Sequence, residues 1–176
     1  MLLPIFLLVS FIIILDDGLP ILFKQKRIGL NSSYFWIYKF RTMKNNTPNL
    51  STDLLKDSTS LYTYSGPFFR ELSIDELPQL LNIIKGEMNF IGPRPALYNQ
   101  FDLISRRKKM GIDQLKPGIT GWAQINGRDD LSVEKKVEFD KYYLDNKSIK
   151  LNLKIFFLTI IKILKKEGVY TNKKIL

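Results

Sequence analysis

The chain has 176 residues, with 27 Lys and Arg against 17 Asp and Glu and a formal net charge of +10. That length can bury one sizeable core rather than two, and the positive balance favours anionic partners such as nucleic acid, phosphorylated substrates or an anionic membrane surface. Cysteine and histidine are both absent, which excludes disulfides, thiolate metal sites and imidazole chemistry and leaves carboxylates with Mg²⁺ to carry any catalysis.

Residues 1–15 form an apolar run broken only by Ser10 and closed by Asp16 and Asp17. As a helix it would extend ~22 Å at ~1.5 Å per residue, short of a ~30 Å hydrocarbon core. No basic residue precedes it and no small-residue cleavage pattern follows, which argues against a signal peptide. Pro4 predicts a kink and a segment that enters and leaves the membrane by one face; a buried core helix is the competing reading.

Residues 20–26 and 34–40 predict two short strands joined by a turn over 29–33. Residues 45–59, rich in Asn, Thr, Ser and Pro, predict a loop. A helix is expected over 96–110, its cluster Arg106-Arg107-Lys108-Lys109 forming either a solvated face, the favoured reading, or a phosphate-facing patch, and a charged helix over 133–143. The last helix alternates Leu151, Leu153, Ile155, Phe156, Phe157 and Ile160 with Lys150, Lys154, Lys162 and Lys165. That pattern favours a membrane interface over a core position.

Three motifs carry chemistry. In Ser73-Ile74-Asp75-Glu76-Leu77-Pro78, Ser73 and Glu76 have the spacing of a capping box, which would make the acids local helix signals. Pro78 is more comfortable at the first position of a helix than inside one, and a helix starting there would leave both acids on the preceding turn. Functionally, an aspartate can attack a phosphoryl group while a neighbouring carboxylate holds the Mg²⁺ that screens phosphate charge. Arg94, within Gly92-Pro93-Arg94-Pro95, is either a surface arginine or a guanidinium presented to phosphate at low entropic cost. The glycines of residues 117–128 either make turns or allow close backbone approach to a ligand.

Together and in this order, these motifs resemble those of the bacterial sugar transferases, the monotopic polyprenyl-phosphate phosphoglycosyl transferases that start assembly of surface polysaccharides and glycans. The resemblance covers nearly the whole chain, including Tyr38-Lys39-Phe40-Arg41-Thr42-Met43 and Asp140-Lys141-Tyr142-Tyr143. It implies that Asp75 attacks a nucleoside diphosphate sugar, expected to be a UDP-sugar, and that the phosphosugar then passes to polyprenyl (undecaprenyl) phosphate. It assigns Glu76 to Mg²⁺. Arg94, Arg41, Lys39 and Arg128 are the implied partners of phosphate oxygens, with Asp140 a further polar candidate beside a solvated-helix alternative.

The resulting expectation is a mainly α, monotopic membrane protein with a small β hairpin and interfacial amphipathic helices. Residues 1–19 would form a membrane-inserted re-entrant helix and residues 20–176 the catalytic domain, at the cytoplasmic face of the inner membrane. Against the family pattern the N-terminus is expected to be short: a basic stretch and about half of the membrane helix would normally precede Pro4, and a serine would stand where Leu3 is. No nucleic-acid partner is expected, the competing class being a non-catalytic basic module that binds membrane surfaces or nucleic acid.

Overall fold

A computed structural model describes residues 2–48, 58–127 and 130–165. Its elements are mainly helical: α1 (Leu3–Asp17), β1 (Leu22–Ile28), β2 (Tyr34–Phe40), α2 (Gly66–Glu71), α3 (Leu80–Ile84), β3 (Asn89–Ile91), α4 (Phe101–Lys109), β4 (Gly118–Thr120), α5 (Trp122–Ile125), α6 (Val133–Asn146) and α7 (Ile149–Leu164). Arg128, residues 49–57 of the expected loop and the chain after residue 165 lie outside the described residues.

α1 is apolar on every side, so burial has to choose one stripe. Phe6, Val9 and Ile13, three to four residues apart, pack with Phe40 and Phe69, and the Phe6 and Phe40 rings lie 5.2 Å apart. Leu3, Leu7, Leu8, Phe11 and Leu15 remain exposed. Pro4 falls in the first turn, where its missing N–H costs nothing. From there α1 runs without a break to Asp17. No helix among the described residues is long and apolar enough to cross a membrane.

The predicted hairpin forms with antiparallel register from Leu22 opposite Phe40 to Ile28 opposite Tyr34. Alternation decides its faces. Phe35 and Ile37 point inward to Met88 while Tyr34 and Trp36 stay exposed; Phe40, on the parity of the exposed pair, is covered instead by the α1 cluster.

Two features were not expected from the sequence. One is the parallel pairing of β3 with β4. The other is the late start of α4: residues 96–100 do not join the helix, because Leu97 bridges Arg27 and its backbone N–H donates to Gln100 Oε1 at 2.9 Å.

The glycines of residues 118–121 serve packing between backbones. A Cβ on Gly118 would stand 2.2 Å from the Gly92 nitrogen, and one on Gly121 would stand 2.1 Å from the Gly92 oxygen. Close approach is required here, but its partner is the 92–95 segment of the chain itself.

α4 packs against α6 through Leu103 and Val137, with Ile112 of the turn after α4 in the same cluster, and α6 is capped by Ser132, whose hydroxyl accepts from Lys135 N. α7 is buried on one face and exposed on the other. Leu151 and Ile155 are buried against Ile125 and Tyr143, whereas Leu153, Phe156, Phe157, Ile161 and Leu164 are exposed.

Candidate active site

Asp75 and Glu76 lie on a 3-10 turn spanning Ile74–Gln79, ahead of α3. Neither local expectation describes this turn. Ser73 adopts a left-handed conformation (φ +55°) and makes no side-chain cap, so the capping box is absent, and Pro78 sits inside the 3-10 turn rather than opening a helix. Tertiary contacts override the local signal. Asn82, completely buried, accepts from the Tyr38 N–H and donates to the Trp36 oxygen at 2.7 Å, tying α3 to β2.

That docking brings Lys39 of β2 to the acids. Its Nζ lies 2.7 Å from Glu76 Oε1 and 3.9 Å from Asp75 Oδ2. Arg94 reaches the same Glu76 oxygen through Nη1 and Nη2, each at 3.2 Å. Asp75 and Glu76 are only 5% and 6% exposed, so their charges depend on these cations. Burial pulls the Lys39 ammonium below its usual range and Arg94 adds to the effect, against the attraction of Glu76 and Asp75.

The rigidity of Arg94 comes from its flanks. Proline at 93 and 95 removes two backbone donors, so the segment cannot extend β3. Its carbonyls are taken up one after another. The Pro93 oxygen accepts from Gly118 N at 2.9 Å, Arg94 from Arg107 Nη1 at 2.8 Å, Pro95 from Arg27 Nη1 at 2.9 Å and Ala96 from Ile28 N at 2.9 Å.

Arg107 is the residue that sequence reasoning missed. Unlike its solvated neighbours Lys108 and Lys109, it is 9% exposed and donates through Nε and Nη2 to Asp140 Oδ2 at 2.9 and 2.6 Å. The spacing held the signal, since Arg107 follows buried Leu103 by four residues and shares its face. Asp140 is 1% exposed, which rules out the solvated alternative. Burial pushes its carboxyl up, opposed by the Arg107 charge and hydrogen bonds.

Arg41 is placed differently from Lys39 and Arg94. It is 4% exposed, and Nη2 donates to the oxygens of Asp17 and Gly18 at 2.9 and 2.7 Å, satisfying carbonyls at the end of α1.

One cavity joins these groups. Asp75, Lys39 and Arg94 line it together with an apolar wall of Pro20, Leu22, Phe23, Phe40 and Met43, with Gln100 just before α4, and with Arg107, Gln124 and Lys136 on α4, α5 and α6. Arg41 lines it as well. The cavity thus combines a carboxylate, several cations and an apolar wall.

The sequence profile of the family described as bacterial sugar transferase matches residues 1–166. An uncharacterized sugar transferase, EpsL, from Bacillus subtilis (strain 168) is 49% identical over 88% of this chain and 75% of its own length. The exopolysaccharide production protein ExoY of Sinorhizobium fredii is 37% identical over 95% of this chain and 80% of its own. The UDP-glucose:undecaprenyl-phosphate glucose-1-phosphate transferase of Escherichia coli (strain K12) is 36% identical over 90% of this chain but only 36% of its own length. The chain belongs to the bacterial sugar transferase family, and its class of activity is phosphoglycosyl transfer.

Proposed function

We propose that this enzyme transfers a sugar 1-phosphate from a nucleoside diphosphate sugar, a UDP-sugar by analogy with the Escherichia coli relative, to undecaprenyl phosphate through a covalent intermediate on Asp75. The observation that carries the reading is the position of Asp75 on the cavity wall, with Lys39 and Arg94 gathered at the neighbouring Glu76. In the first step an Asp75 oxygen attacks the phosphorus bearing the sugar. The bond from that phosphorus to the bridging oxygen breaks, and the nucleoside monophosphate leaves with that oxygen. In the second, an oxygen of the polyprenyl phosphate attacks the same phosphorus and the Asp75 carboxylate departs, giving a polyprenyl diphosphate sugar. Lys39 and Arg94 offset the charge on the transferring phosphate, and the apolar wall beside α1 suits the start of the lipid chain.

The adjacent Asp75 and Glu76 suit Mg²⁺ shared with a substrate, because that ion takes one or two carboxylates and completes its shell with phosphate oxygens and water. No group of three or more acidic, His or Cys residues converges among the described residues, so an ion here would depend on substrate oxygens. When bound, Mg²⁺ would supply charge neutralisation at the diphosphate, with Glu76 as its principal protein ligand.

The exposed apolar faces of α1 and α7 support a monotopic seat on the cytoplasmic face of the inner membrane, where the polyprenyl phosphate lies. Intact-mass measurement after incubation with UDP-glucose or UDP-galactose alone tests the covalent step. A phosphosugar adduct is expected, and nucleoside monophosphate release with no adduct in wild type would replace the two-step reading by direct transfer.

A further inference from the structure

Among the described residues, Gln124 is the only side chain with two buried polar atoms left without a hydrogen-bond partner, the donor Nε2 and the acceptor Oε1. Buried amides are normally paired, because an unmade hydrogen bond away from water is costly. The position is also held firmly. Ala123 and Ile125 on either side are each 5% exposed, Trp122 stacks on Tyr142 at 5.1 Å, and Ile125 packs with Tyr143 and Ile155. Loose packing therefore does not explain the unpaired amide.

Its surroundings point to the substrate. Gln124 lines the cavity that Asp75, Arg94, Arg107 and Lys136 share. Its oxygen lies beside Gly121, within 2.8 Å of where a Cβ would stand, and Gly121 in turn packs on Gly92 at the start of the Arg94 segment. The cations of this cavity match phosphate oxygens. A neutral amide adds little there, but its paired donor and acceptor match a hydroxyl group, which both donates and accepts.

We propose that Gln124 is a specificity-determining residue that hydrogen-bonds a hydroxyl of the sugar nucleotide, on either the transferred sugar or the ribose. This rests on the donor reading above. A site built around an otherwise unpaired polar group favours the ligand that completes it and rejects analogues lacking the hydroxyl.

Gln124→Met, of similar length and without the amide, tests this in the full chain with UDP-glucose and UDP-galactose. The donor KM should rise about tenfold, the loss of one hydrogen bond, while the KM for polyprenyl phosphate stays unchanged. The ligand-free thermal midpoint should hold or rise, because no intramolecular hydrogen bond is removed. Inhibition by UMP and 2′-deoxy-UMP separates the two sources. Weakened UMP inhibition together with lost discrimination against the deoxy analogue places the hydroxyl on the ribose, and unchanged inhibition with an altered donor KM places it on the transferred sugar. A donor KM within twofold of wild type, or a clear fall in the ligand-free midpoint, overturns the proposal. Wild-type enzyme that releases no nucleoside monophosphate from either sugar nucleotide would overturn the donor reading, and this inference with it.

Discussion

Asp140 on α6 and Arg107 on α4 form a buried ion pair whose third contact, from Arg107 Nη1 to the Arg94 oxygen at 2.8 Å, fastens the 92–95 segment to the helical layer. Removing the charge at 140 leaves Arg107 buried and uncompensated. Asp140→Asn should therefore cost about 3 kcal/mol of stability, read from the midpoint of urea unfolding. Arg107→Lys keeps the charge but loses the forked geometry, and it should lower turnover by more than its stability cost explains. Unchanged turnover in that variant would confine the pair to a structural role.

The dyad should separate by substitution. Asp75→Asn should reduce turnover about 10³-fold or more, as loss of a nucleophile does, and the mass adduct should vanish while far-UV circular dichroism is unchanged. Glu76→Gln should behave differently. It removes the charge shared by Lys39 and Arg94, so a stability loss of about 3 kcal/mol should accompany lower activity. Chelation of Mg²⁺ should stop nucleoside monophosphate release by the wild type, and release that persists would leave charge neutralisation to Lys39 and Arg94.

Gly121→Ala places a methyl group 2.1 Å from a backbone oxygen that has no rotamer to move. We expect a loss of about 3 kcal/mol from overpacking, together with reduced activity because the displaced segment carries Arg94. Thermal unfolding and donor kinetics on the same variant measure both effects.

Asp16, at the end of α1, accepts from the Ser65 hydroxyl and from the backbone N–H groups of Ser65 and Tyr64 at the start of α2. Burial pushes its carboxyl up, but these hydrogen bonds together outweigh it and hold the group below its ordinary value. A folded-state value that is depressed contributes stability at pH above the unfolded value, and that contribution is lost as pH falls through the folded one. The acid limb of the stability curve, at pH below the ordinary carboxylate value, should be shallower in Asp16→Asn. An unchanged limb would show that the contacts do not persist in solution.

The chain contains no cysteine, so single cysteines report membrane contact cleanly. Cysteine at Leu8 and at Phe157, both 60% exposed, should be shielded from a water-soluble thiol reagent when the protein is bound to anionic vesicles, and a cysteine at Lys147 should remain reactive. Equal reactivity at all three sites would argue against docking through α1 and α7.

Period-two alternation over residues 34–40 and a turn over 29–33 made the hairpin legible, because strand faces and turns are set by near neighbours. The charged pattern over 133–143 did the same for α6, and motif order pointed to Asp75, Glu76, Arg94 and Lys39, which the fold brings together. Their assembly was not written locally. Lys39 meets Glu76 across 37 positions of chain and Arg107 meets Asp140 across 33, and β3 and β4 pair through a connection containing α4. Ser73, Glu76 and Pro78 show the limit most plainly. Their spacing signals a helix start, but docking of α3 onto β2 through Asn82 and the attraction of two partly buried cations for Glu76 hold the segment as a 3-10 turn. The sequence thus pointed to Asp75, Glu76, Lys39 and Arg94 as candidates, while burial and long-range charge pairing, available only once the chain is folded, decided where each of them points.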